Sequence, residues 1–221
     1  MKPIFRTLLC SLVALLAVVG AARAHPHVWV TMTSELVYAP DGAVTGVRHA
    51  WAFDDMFSAF ATQGIETKQK GVFTREDLAP LAQVNVDSLK DFDYFTFVHI
   101  GDGDNLPLKP PENSLDYDKG LLTLHFTLPL EKPLDAHSQE VQVDVYDPSF
   151  FVAFGFATEA PVKLSGDAIK GCTAEIKKPD PESEEDAKAL SEAFFSQLGP
   201  NSNFGAQFAQ TVMVKCNDAP S

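Results

Sequence analysis

The chain has 221 residues, with 17 Lys+Arg against 30 Asp+Glu for a formal net charge of −13, and 45% hydrophobic residues that include 17 Phe. Such acidity is repelled by phosphate backbones, which excludes a nucleic-acid partner. So much apolar material excludes wholesale disorder, and the length suits one domain with or without an appendage.

Residues 1–24 have the three parts of an export signal. Lys2 and Arg6 are positive, residues 8–19 are apolar apart from Ser11, and Ala22-Arg23-Ala24 puts small residues at −3 and −1 of a cleavage point. The apolar stretch is about 12 residues, short of the roughly 20 that span a bilayer. The expectation is a periplasmic protein that does not span the membrane once cleaved, with residues 25–221 forming a single α+β domain. Cleavage after Ala24 leaves 197 residues and removes Lys2, Arg6 and Arg23, which takes the net charge from −13 to −16. Cys172 and Cys216 remain. In an oxidising compartment such an isolated pair forms a disulfide, and no closely spaced Cys or His beside either supports a cysteine-ligated metal.

The mature chain begins His25-Pro26-His27-Val28-Trp29-Val30. Residues 28–38 and 43–53 are β-branched and aromatic runs divided by Ala39-Pro40-Asp41-Gly42, which reads as a hairpin. Asp54-Asp55 opens a helix, its acids favouring the positive end of the helix dipole. Residues 66–78 follow the frame of a calcium-binding helix-loop-helix, with Gly71 at loop position 6, Phe73 at position 8 and Asp77 at position 12. Lys68 and Lys70 stand where oxygen ligands belong, and ammonium groups repel a cation, so calcium is not expected. The segment reads either as a loop that keeps the turn without the ion or as an ordinary connection.

Thr74 can cap the next helix, to about Asp91. Residues 94–100, 121–128, 140–146, 150–157, 161–165, 174–177 and 207–216 then read as strands, and 101–119 as a loop or loose hairpin. Residues 181–198, capped by Asp180 with Pro181 in the first turn, read as an amphipathic helix with Ala187, Leu190, Phe194 and Leu198 on one face. The expected architecture is a sandwich-like core of short, mainly antiparallel strands, with a helix-loop-helix insertion and that C-terminal helix.

His25 and His27, two residues apart on a strand, share a face with Cα atoms about 7 Å apart. Cleavage would add the α-amine of His25, giving three nitrogen donors suited to Ni, Co, Zn or Cu rather than Ca or Mg. A three-residue hairpin loop sets His27 opposite Asp55, and a two- or four-residue loop sets it opposite Asp54, so either carboxylate can supplement the site. The bland alternative is a solvated, histidine-bearing end. The same registers put His49 beside Thr33 or Met32, at the other end of the hairpin, as a partly buried neighbour of Trp51. His99 and His125 lie in apolar strands, and His137 in a polar turn. Nucleophile elbow, phosphate loop, HExxH and CxxC patterns are all missing from the sequence, so no enzymatic activity is expected. Ser149 has no His near it in sequence, its Asp147-Pro148 reads as a turn, and the aromatic run 150–154 reads as core.

The start HPHVWV, the return strand VRHAWAFDDMFSAF, the segments LKDFDYFTFV and YDPSFFVAF, a Gly-Cys at 171–172 and the closing FAQTVMVKC resemble a bacterial periplasmic family of unknown function, number 1007 in its domain series. The resemblance covers most of residues 25–216. It implies a periplasmic component of an ABC-type transport system, in a setting of nickel/cobalt exporter permeases or zinc-responsive transport genes. Carried onto this chain, it singles out His25, His27 and Asp54, and it implies an inner-membrane permease or ABC transporter as partner. Many members carry an acid-rich, calcium-loop-like stretch where this chain has Lys68 and Lys70. The competing expectation is a β-rich adaptor that docks on such a transporter without metal.

Overall fold

The computed structural model describes residues 26–101, 103–109, 111–135, 140–166, 171–180, 190, 192–198 and 202–216. The expected export segment, His25, His137 and most of the expected C-terminal helix lie outside them. Within them the chain is mostly β-sheet with a few short helices, an α+β protein.

β1 (Val28–Tyr38) and β2 (Ala43–Phe53) have the expected bounds, because apolar and polar residues alternate along both. The turn is also as expected. Asp41 accepts from the Ala43 N–H at 3.1 Å, and Gly42 takes a φ of 88° that a Cβ would resist. Beyond the turn the ladder contains a bulge: Tyr38 pairs with Val44 but Val37 with Gly46. Gly46 is needed there, since a Cβ would stand 2.6 Å from the Leu128 carbonyl oxygen. The bulge shifts every later pair by one residue.

α1 (Asp55–Ala61) follows, then α2 (Arg75–Leu89), and Lys90–Phe95 closes as a kinked 3-10 segment. Asp93, Tyr94 and Phe95 have φ of 51°, 54° and 52°, a left-handed turn of three non-glycine residues costing about 1–2 kcal/mol each. Burial of Tyr94 and Phe95, at 6% and 7% exposure, offsets that strain. β3 is Thr96–Ile100. The stretch expected as a loop or loose hairpin contains β4 (Glu112–Asp118), joined to β5 (Leu121–Asp135) by Lys119-Gly120 with positive φ at both turn positions. β6 (Val141–Val145), β7 (Val152–Phe156), β8 (Val162–Ser165), β9 (Cys172–Lys177) and β10 (Gln210–Cys216) complete the strands. α3 (Glu192–Phe195) is a single turn within the stretch expected as the C-terminal helix, where Leu190 is a bend and residues 196–198 have left the helix.

The strands form two sheets. One has the order β4-β5-β2-β1-β7, with β8 also on β1; the other is β3-β6-β10-β9. β7 runs parallel to the first half of β1 and β8 parallel to its second half, so this edge departs from the expected antiparallel pattern. One hydrophobic core joins both sheets, with Met32, Leu36, Trp51 and Leu124 of the first clustered with Val98, Val143 and Val212 of the second. Phe150, Phe195 and Phe208 form a smaller cluster. Cys172 and Cys216 are direct cross-strand partners of β9 and β10 and are disulfide-bonded, as expected.

Candidate functional site

The alternation that buries Val28 and Val30 turns His27 and Trp29 to the opposite, exposed face of β1. On the β7 side the His27 N–H donates to the Phe151 carbonyl at 2.9 Å, and the two rings stack with centroids 4.7 Å apart. On the β2 side the Asp54 N–H donates to the Trp29 carbonyl at 2.9 Å, while the Trp29 N–H donates to Asp54 Oδ2 at 2.8 Å. Asp54 Oδ1 accepts from the Phe57 N–H at 2.8 Å, capping α1. One carboxylate therefore ends the ladder and starts the helix.

This geometry corrects the expected pairing. Asp54 lies opposite Trp29 rather than His27, because the bulge at Val44–Gly46 adds a residue that hairpin-loop counting does not contain. Both Asp54 oxygens already accept backbone N–H groups. Asp55 is exposed in the first turn of α1, where its charge favours the helix dipole. His25, the other half of the expected chelate, lies outside the described residues. Among the described residues no group of three or more His, Cys, Asp or Glu is placed to hold a metal ion.

Beside His27 and Asp55, the segments at this end of β1 carry exposed apolar side chains. Trp29 is 50% exposed, Phe151 46%, Met56 70% and Phe60 69%, the last two four residues apart on α1. The run 150–154, expected as core, divides. Phe150 and Phe154 are buried, whereas Phe151 faces outward and meets His27. The His27–Trp29 spacing carried the signal for this surface, since strand alternation that exposes the histidine also exposes the tryptophan. Asp147 shapes the neighbouring segment as the Asp-Pro turn expected there. Its Oδ1 accepts from the Ser149 N–H and hydroxyl, and its Oδ2 from the Val152 N–H. Gly205 packs so closely on the Asp147 carbonyl that a Cβ would stand 1.7 Å from its oxygen.

The other described histidines are held separately. His49, expected as partly buried, is 1% exposed and pairs with Ser34, one residue beyond Thr33 and two beyond Met32, again through the bulge. Its ring lies 5.6 Å from that of Trp51. Thr96 Oγ1 donates to the Tyr94 carbonyl at 3.0 Å, so it accepts from His49 Nε2 at 3.2 Å, and Nδ1 then accepts from the Ser34 hydroxyl at 2.9 Å. This chain suits a neutral ring, and burial pushes the His49 pKa down to about 3. His99 Nε2 lies 2.8 Å from Asp144 on the four-stranded sheet. His125 Nε2 lies 3.2 Å from Asp116 on the six-stranded one. Arg75 grips that same Asp116 at 2.6 and 2.7 Å, and its guanidinium holds the carboxyl below the usual carboxylate range. His99 and His125 thus belong to different sheets and do not converge. No helix among the described residues is long and apolar enough to cross a membrane.

Residues 10–216 match a family described as protein of unknown function (DUF1007). The chain is also similar to an uncharacterised protein of Haemophilus influenzae, 23% identical over 195 residues that cover 87% of this chain and 91% of that protein.

Proposed function

The chain belongs to the DUF1007 family of proteins of unknown function, and from that premise we propose that it is a non-enzymatic accessory protein of metal transport. On this reading residues 1–24 are removed on export to the periplasm, and the new amino terminus takes Ni, Co, Zn or Cu. The donors are the amine and ring of His25 with the ring of His27, and calcium is not a ligand. The observation that carries it is the exposure of His27 just before β1, on the same side as the outward-facing Trp29. Asp54 would share its oxygens with the backbone N–H groups they already accept from, and Asp55 is the more exposed carboxylate. The mature charge of −16 concentrates cations nearby, an effect weakened by salt. The two sheets read as the layers of a sandwich, and α3 as the last turn of the expected amphipathic helix, packed by Phe195 on Phe150. The partner is an inner-membrane permease or ABC transporter that exchanges the metal.

Calorimetric titration of protein cleaved after Ala24 tests this. Binding tighter than about 10 μM is expected for at least one of the four metals. It should strengthen from pH 5 to pH 8 as nitrogen donors lose their protons, and vanish in the His25→Ala/His27→Ala variant. Weaker binding, or binding that survives the double substitution, ends the proposal.

The exposed Trp29, Met56, Phe60 and Phe151 favour a second reading, an adaptor that docks this face on the transporter without metal. It requires co-purification with a membrane partner that survives chelator and loss of both histidines, but not Trp29→Ala.

A further inference from the structure

Beneath the exposed end of β1 lies a cavity of about 430 Å³. Trp51 and Leu124, at 1% and 0% exposure, form its floor, Phe92, Phe95 and Phe154 stand in its walls, and the exposed Ser88 and Phe151 are at its rim. Its size is that of a small-molecule site. Two chain segments hold it open. Among the described residues, four of the six non-glycine residues with positive φ are Asp93, Tyr94, Phe95 and Phe150, all in the segments that bring Phe92 and Phe95, or Ser149 and Phe151, to the wall. The His49–Thr96–Tyr94 hydrogen bonds pin the first segment, and Asp147 pins the second. Strained backbone held by buried polar groups around one apolar space is the arrangement of a preformed site.

We propose that this cavity binds an uncharged apolar small molecule, the size of a naphthyl group or a medium-length alkyl chain. The class follows from the charges. Asp147 is the one charged side chain in the lining, and its oxygens already accept three hydrogen bonds. A ligand carboxylate or phosphate would meet that negative charge with no Lys or Arg to pair with, so an anionic head stays outside. A cation would have to shed its water in an apolar lining for one carboxylate already shared among three donors, so it too gains little there. Among the described residues the indole N–H of the buried Trp51 has no hydrogen-bond partner, but it has no accessible surface either, so it lies beneath the lining and the ligand is held by apolar contact.

The probe is N-phenyl-1-naphthylamine, an uncharged dye that brightens in apolar sites, titrated into the mature protein with and without chelator. Saturable 1:1 binding, indifferent to chelator, is expected. The chain has 2 Trp, so Trp29→Phe leaves Trp51 as the sole tryptophan, and its emission should be quenched by energy transfer as the dye binds. Ser88→Phe at the rim should weaken binding at least tenfold. 1-Octanol should displace the dye at least tenfold more effectively than octanoate at pH 7.5. Non-saturable binding, or loss of binding in Trp29→Phe, would move the dye to the outer surface and overturn the site. Equal displacement by octanoate would overturn the ligand class. Circular dichroism checks that Ser88→Phe folds; should it not, Trp51 quenching and the octanol–octanoate contrast decide the matter alone.

Discussion

At the residue scale, His49 shows how one side chain couples the two sheets. Its ring accepts a hydrogen bond from the Ser34 hydroxyl of β1 on one nitrogen and donates one to Thr96 of β3 from the other. Burial strips water from the ring and penalises the charged imidazolium, which is why the pKa falls to about 3. The unfolded chain titrates near 6.5, so below that pH it binds a proton that the folded chain refuses. Stability from this group is therefore complete above pH 6.5 and lost as pH falls toward 3. Between pH 6.5 and 5 the loss should be about 1.5–2 kcal/mol. Urea midpoints at the two pH values check this, and His49→Gln should flatten the difference by that amount. The burial of His49 was legible from its place beside Trp51 in an alternating strand. Its partner Thr96 was not, being 47 residues away on another sheet.

At the scale of elements, local chemistry was a good guide wherever a turn or cap is made by its own neighbours. The Pro-Asp-Gly turn and the Thr74 cap formed as their residues require. In the loop with the calcium-site frame, Gly71 keeps a left-handed φ of 79°, while Asp77 turns its carboxylate to Thr74, accepting from its N–H at 3.0 Å and its hydroxyl at 2.9 Å. The residue at loop position 12 thus serves as the acid of a capping box. Thr74→Ala should cost about 1 kcal/mol in chemical denaturation, with the spectrum of the folded state unchanged. Two elements were missed. β4 reads as a polar loop because its outward residues are acidic and its apolar signal is short, yet Leu115 is 1% exposed in the core. The bulge at Gly46 left no local signal, since its cause is the approach of Leu128 from β5. That unseen residue is what displaced Asp54 from His27.

At the scale of the molecule, the second sheet ends in β9, stitched to β10 by Cys172–Cys216 across a sequence separation of 44. Closing a loop of that length restricts the unfolded chain by about 3–4 kcal/mol. The Cys172→Ala/Cys216→Ala variant should lose that much stability in urea, and wild type in reductant should approach it. A loss below about 1 kcal/mol would show that the loop is already constrained without the bond. The sequence by itself determined the export-signal pattern, the acidity, the cysteine pair, the first hairpin and the His25-Pro26-His27 stretch, because each rests on composition or on residues within a few positions of one another. Tertiary structure alone decided the register that sets Trp29 against Asp54, the parallel edge of β7 and β8, the separation of the histidines and the aromatic cavity. These depend on which strands meet across tens of residues, a choice made by close packing and hydrogen-bond satisfaction over the whole core rather than by any local pattern.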